Sequence, residues 1–221
     1  MARKSPSPPR PARTIETTAD VAAGVRALKR VCPAMARAHA LTGDPPLRRW
    51  SPGLPGLVRI IVGQQLSTAS ANAIHTRLSA AVGPLDAAAL AACPDDTLRA
   101  AGLSGPKIKT LRALGLAVSE GHLDLDTLAS ADIECVRTML TSIGGIGPWT
   151  ADIYLMFCRG DADAFAPGDL ALQIGAARLF QHEARPTPAE LTQIAERWRP
   201  WRGIAARLIW AYYGAVKSAA R

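Results

Sequence analysis

Between Ile133 and Ile143 the apolar residues Ile133, Val136, Leu140 and Ile143 recur at three- and four-residue steps, the spacing of one buried helical face. Gly144, Gly145 and Gly147 end that run, and Pro148 suits the first turn of a following helix. The pattern predicts two helices joined by a tight hairpin over residues 142–149. From about Ile15 the rest of the chain reads the same way, with Asp20 as an N-cap and Pro33, Pro45 and Pro46 as breaks. Glycine and proline clusters near 51–56, 83–84, 102–106 and 144–148 divide it into segments of helical length with short connections. Strand alternation is absent and no internal repeat is visible, so the expected class is all-α.

The 221 residues suffice for one compact domain or two small lobes, and a hydrophobic content of 48% allows a real core. No apolar run reaches membrane-spanning length and no apolar segment follows the charged N-terminus, which predicts a cytoplasmic protein, nucleoid-associated if bacterial. A net charge of +8 favours a polyanionic partner. Part of that charge belongs to residues 1–14, where Arg3, Lys4, Arg10 and Arg13 lie among prolines and serines in a composition expected to stay disordered. Cys32, Cys93, Cys135 and Cys158 are far apart, and His75, His122 and His182 supply no ligand pair at helical spacing, so neither an iron–sulfur cluster nor a zinc site is expected.

Four stretches and two tryptophans carry candidate chemistry. Gly145 and Gly147 permit positive φ and leave backbone amides bare, so the hairpin suits an anion, as does the N-terminus of the helix after it. Taken alone, a Gly-x-Gly turn is more often simply a tight interhelical turn. In Leu57–Ser67 an apolar helix ends in Gln64 and Gln65, which fit either a helix junction, with Ser67 as N-cap of Thr68–Val82, or a polar contact surface. In Gly102–Lys109, Ser104 suits a helix cap, and Lys107 and Lys109 suit phosphates or a solvated face. Asp169 follows Phe165-Ala166-Pro167-Gly168 and precedes an apolar helix; an N-cap role and a role as a fixed carboxylate beside a developing positive charge are compatible. Trp149 shares a helical stripe with Ile153, Met156 and Phe157, whereas Trp210 lies roughly opposite the stripe of Trp201, Ile204, Leu208 and Tyr212, which points it to a cleft.

With the continuation Trp149-Thr150-Ala151, the hairpin resembles that of the helix-hairpin-helix (HhH-GPD) DNA glycosylases, closest to the 3-methyladenine DNA glycosylase II family. The resemblance runs from about Pro52 to Ala215 and includes Val62-Gly63-Gln64-Gln65, Phe165-Ala166-Pro167-Gly168-Asp169 and the segment Glu196–Trp210, in the family's order. It implies a two-lobed fold with the active site in the cleft between lobes: lobe one from 15–51 plus 160–221, lobe two from 52–159. It also implies the compact form, without the β-rich first domain of longer relatives. By the same resemblance, Asp169 is the catalytic carboxylate, preferred over Asp163, and Trp149 and Trp210 line the base pocket. Gln64, Gln65, Gly145, Ile146, Gly147 and Thr150 would meet DNA, with Gln65 at the position that fills the gap left by the flipped nucleotide. A monovalent cation, Na+ or K+, would sit near the carbonyls of Ile143 and Gly145.

Two departures carry meaning. Bifunctional members have a lysine two residues after the last hairpin glycine; here that position is Trp149, which cannot form an imine, so the enzyme is expected to be monofunctional. An aromatic residue of some members is replaced by Ile153, which suggests a less aromatic pocket. The implied activity is hydrolysis of the N-glycosidic bond of alkylated purines, 3-methyladenine and 7-methylguanine, in double-stranded DNA by a monomer. The alternatives are a glycosylase for neutral lesions such as hypoxanthine, ethenoadenine or uracil, and a non-catalytic DNA-binding module.

Overall fold

The computed structural model describes residues 13–83 and 85–219. Thirteen α-helices occupy them, and among these residues the only β feature is an isolated antiparallel bridge between Thr14 and Asp161. Helix α1 spans Thr18–Val31, α2 Pro33–Thr42, α3 Leu54–Gly63, α4 Thr68–Val82, α5 Ala87–Ala92 and α6 Asp95–Ala100. There follow α7 (Gly105–Ser119), α8 (Leu125–Ser130), α9 (Ile133–Thr141) and α10 (Pro148–Tyr154), which runs into a π-helical turn over Leu155–Arg159. The last three are α11 (Leu170–Phe180), α12 (Pro188–Ala195) and α13 (Arg202–Ala219).

Packing sorts the helices into two lobes. Helices α1, α2, α11, α12 and α13 rest on one another, and α3 packs with α4, α7 and α10, α10 with α9, and α7 with α5 and α6. The chain leaves the first lobe after α2, builds the second, and returns through residues 160–169. At that return the N-terminal segment is used as a clasp. Ile15 is fully buried and donates its amide to Gly160 O at 2.7 Å, while Ala162 donates to Arg13 O at 2.8 Å.

Several local expectations change here. The first helix begins at Thr18 rather than near Ile15, because Thr17 is its N-cap and Asp20, at the third helical position, closes a capping box by accepting the Thr17 amide at 2.9 Å. Residues 1–12 of the expected tail lie outside the described residues, but Arg13 and Thr14 are anchored, the Arg13 guanidinium lying 4.8 Å from the Trp201 ring centroid. Ser67 caps α4 as expected, accepting the Ser70 amide at 3.2 Å. Ser104 occupies the N-cap position of α7 but makes no side-chain cap bond.

Candidate active site

The turn between α9 and α10 needs its glycines for different reasons. Gly145 has φ 89°, and a Cβ there would overlap the Thr110 hydroxyl of α7. Gly147 departs from the expected positive φ: it is extended, at φ −95°, and serves as N-cap of α10 with nothing within 4 Å of where a Cβ would stand. Ile146 between them turns inward, buried, with its amide on Ile143 O at 3.0 Å. The hairpin therefore presents bare backbone to solvent at Gly145 and Gly147, in front of the N-terminus of α10.

Of the polar residues expected beside it, two face each other. Gln64 Nε2 donates to Thr150 Oγ1 at 2.9 Å, and Thr150 is only 2% exposed, so its hydroxyl ties α3 to α10 and is not a surface contact. Gln65 is exposed and adopts a left-handed backbone, φ 56°, rare for a residue with a side chain. That turn also pushes Leu66 out, 41% exposed, into the rim of the cleft. Lys107 does not reach outwards: its ammonium binds the carbonyls of Val62 and Gln64 at 2.7 and 2.8 Å, closing the C-terminal end of α3, and burial lowers its pKa. Lys109 is exposed.

Asp169 is the N-cap of α11 and accepts the Leu172 amide on Oδ1 at 2.8 Å. Two indoles from different helices converge on the same carboxylate. Trp149 Nε1 of α10 donates to Oδ2 at 2.8 Å, and Trp210 Nε1 of α13 donates to Oδ1 at 2.9 Å. With about four acceptor sites on a carboxylate, three donors fix its orientation and leave room for one more. The competitor Asp163 is committed elsewhere, held by the guanidinium groups of Arg199 and Arg202.

These three residues border a cleft of about 410 Å³, a volume suited to a small organic ligand. Phe157 joins the wall, its ring stacked 5.8 Å from Trp210, and Trp50 lies 5.0 Å beyond Phe157. Ile153 lines the cleft at its expected place, and the rings of Phe157 and Trp50 add aromatic surface to the wall. Phe157 faces the cleft from the π-helical turn, where one added residue shifts the register of the helix face. The sequence stripe of Trp149, Ile153 and Phe157 is retained, as all three line the cleft. Trp50, in the linker before α3, carries no motif, and neither do Arg48, Arg59 or His75, which also line the cleft. Burial, followed by the neighbouring Arg59 charge, pushes the His75 pKa below its usual value.

The family model described as HhH-GPD superfamily base excision DNA repair protein matches residues 58–200. The chain is 34% identical over 194 residues to the Mycobacterium tuberculosis protein named "Probable bifunctional transcriptional activator/DNA repair enzyme AlkA", covering 78% of this chain and 38% of that one. It is 31% identical over 164 residues to Escherichia coli DNA-3-methyladenine glycosylase 2, covering 69% of this chain and 55% of that protein. The chain thus spans well under two thirds of either relative's length. Among solved structures, the Schizosaccharomyces pombe 3-methyladenine DNA glycosylase in complex with abasic DNA superposes with a TM-score of 0.79 at 25% identity, covering 85% of this chain and 95% of that one.

Proposed function

This chain belongs to the HhH-GPD superfamily of base excision DNA repair proteins, and on that premise we propose that it is a monofunctional DNA glycosylase that removes alkylated purines, 3-methyladenine and 7-methylguanine, from double-stranded DNA. The observation that carries the reading is the Asp169 carboxylate, held by two indole N–H groups at the wall of an aromatic cleft. Cleavage of the bond between C1′ and the base nitrogen develops positive charge on the sugar. A carboxylate fixed beforehand stabilises that charge without reorganising. Its remaining acceptor position suits the attacking water or the sugar itself.

The base would be turned out of the duplex and stacked against Trp149, Trp210 and Phe157, whose rings favour a methylated, cationic purine by about 0.5–2 kcal/mol for each good contact. Backbone amides of Gly145 and Gly147 would take a DNA phosphate, and the exposed Gln65, next to Leu66 at the cleft rim, would fill the vacated stack. A monovalent cation, where one binds, would meet the carbonyls of Ile143 and Gly145; the former already accepts one amide and keeps a lone pair. The absence of lyase chemistry is supported by Trp149 in place of an amine and, among the described residues, by a cleft lining without lysine.

The test is single-turnover release of bases from methylated duplex DNA by wild type and Asp169→Asn, with abasic and broken strands separated. Asparagine still caps a helix, so the variant should fold and bind DNA while its rate falls at least about a hundredfold. Tight DNA binding with no base release by wild type would point to a binding module. Broken strands from purified wild type would overturn the monofunctional assignment.

A further inference from the structure

The cleft is electrically lopsided. Its lining holds one carboxylate, Asp169, and two guanidinium groups, Arg48 and Arg59. Among the described residues neither arginine is paired with a carboxylate, and Arg59 is held in place by neutral groups. Its Nη2 donates to Asn72 Oδ1 at 3.1 Å and its guanidinium lies 5.4 Å from the Trp50 ring centroid. From Trp50 the rings of Phe157 and Trp210 follow in a row at 5.0 and 5.8 Å, and the last of them donates to Asp169. A fixed cation and a fixed anion therefore stand at opposite ends of one aromatic row.

Arg207 adds to the same polarity from behind the row. It is 4% exposed, 4.7 Å from the Phe157 ring, and bonded only to the carbonyls of Gly203 and Met156. Burial, then the charges of Arg49 and Arg48, depresses its pKa to about 10, still cationic at neutral pH. Several positive charges without a counter-ion are costly in a wall built only to hold an alkylated, positively charged ring, because they repel it. They become useful if the quantity that matters is the charge that moves.

Resting on the glycosylase reading above, we infer that Arg59 is a leaving-group residue that stabilises the electron density gained by the purine as its bond to the sugar breaks. With the sugar at Asp169, a base lying along the row has its far edge towards Arg59. In the step itself the electron pair of the C1′–N bond departs with the base, and the oxygen of water bonds to C1′. The proton lost by that water goes to solvent when a cationic base leaves neutral, and to the base when a neutral one leaves as its anion. In both cases the base becomes one unit more negative at the Arg59 end while the sugar becomes more positive at the Asp169 end. A neutral base has the poorer leaving group, so its bond is more fully broken in the transition state and it draws more on Arg59. For two unit charges in general, a separation of about 8 Å at an effective dielectric near 20 corresponds to roughly thirtyfold in rate.

Arg59→Gln and Arg59→Lys test this on two duplexes, one carrying a single 7-methylguanine and one a single hypoxanthine. Release is followed in single turnovers at saturating enzyme, with affinity for the undamaged duplex and thermal unfolding measured beside it. The glutamine variant should lose about tenfold for 7-methylguanine and more for hypoxanthine, with affinity for undamaged DNA unchanged, and lysine should restore most of the rate. Equal rates for wild type and Arg59→Gln overturn the inference and leave the glycosylase reading intact. A uniform loss of affinity for undamaged DNA, with the salt slope reduced by about one and the saturated rates unchanged, makes Arg59 a phosphate contact and also overturns it. Wild type that releases neither base removes the reaction Arg59 would assist and overturns the inference, while the glycosylase reading is decided separately by release from methylated duplex DNA.

Discussion

Single side chains around the cleft are set by what surrounds them rather than by what precedes them in the chain. Asp152, on α10, is 4% exposed and bonded to Arg137 at 2.7 Å, yet burial outweighs the arginine and raises its pKa to about 6. Between about pH 4 and 6 the folded state therefore holds a proton that the unfolded chain has released. This group's contribution to stability falls as pH rises through that window, by at most about 1.4 kcal/mol per pH unit. Urea unfolding of wild type and Asp152→Asn should show wild type losing ground to the variant from pH 4 to pH 6 and no further change above it. His75 is moved in the direction that disfavours its charge, by burial and then by Arg59, so Arg59→Gln should raise its titration midpoint in an NMR pH series. An unmoved midpoint would place the Arg59 charge farther from the cleft than its stacking on Trp50 implies. At this scale the sequence pointed to Asp169, Trp149 and Trp210, which stand in a motif. It was silent on Trp50, Arg59 and His75, because nothing local in the chain records that they face one cleft. Gln64 and Thr150 show the complementary failure: both were legible as polar residues in suggestive places, but their mutual hydrogen bond spans 86 positions.

Among the elements, the hairpin separates folding from binding within three residues. Gly145→Ala places a methyl group against Thr110 at a left-handed backbone and should cost about 1–3 kcal/mol of stability, visible as a lowered melting temperature. Gly147→Ala has open space and an ordinary φ, so its melting temperature should stay within the range of a surface substitution, about 0.5 kcal/mol. Its DNA affinity should fall all the same, because the methyl group stands where a phosphate would approach the amide. Equal affinities for wild type and Gly147→Ala would remove the hairpin from the DNA interface. The helix boundaries here followed from glycine and proline chemistry, and the Ser67 cap from a hydroxyl placed just before a helix. The π-helical turn at Leu155–Arg159 did not. It depends on a guanidinium from α13, as Arg207 donates to Met156 O at 2.6 Å and so satisfies a carbonyl within the widened turn.

For the whole molecule, the two lobes are joined where the chain returns from the second to the first, and the N-terminal clasp lies on that return. Ile15→Ala removes a fully buried side chain from the clasp and should cost about 2–5 kcal/mol in urea unfolding, a large effect for a residue outside any helix. A cost below about 0.5 kcal/mol would mean that residues 13–16 merely lie on the surface. By itself the sequence determined the all-α class, the hairpin and the limits of Thr68–Val82, and it pointed to Asp169, Trp149 and Trp210 as candidates. Those are consequences of periodicity, of glycine and proline, and of motifs short enough to be contiguous, so they are written within a few residues of where they act. Tertiary structure alone decided that Trp149 and Trp210 share one carboxylate. It alone aligned Phe157 and Trp50 between Arg59 and Asp169, turned Lys107 inwards, and made the N-terminal segment a clasp. Each of these joins residues far apart along the chain, and the distance between such residues is set by how whole helices pack, which no local pattern of polar and apolar positions encodes.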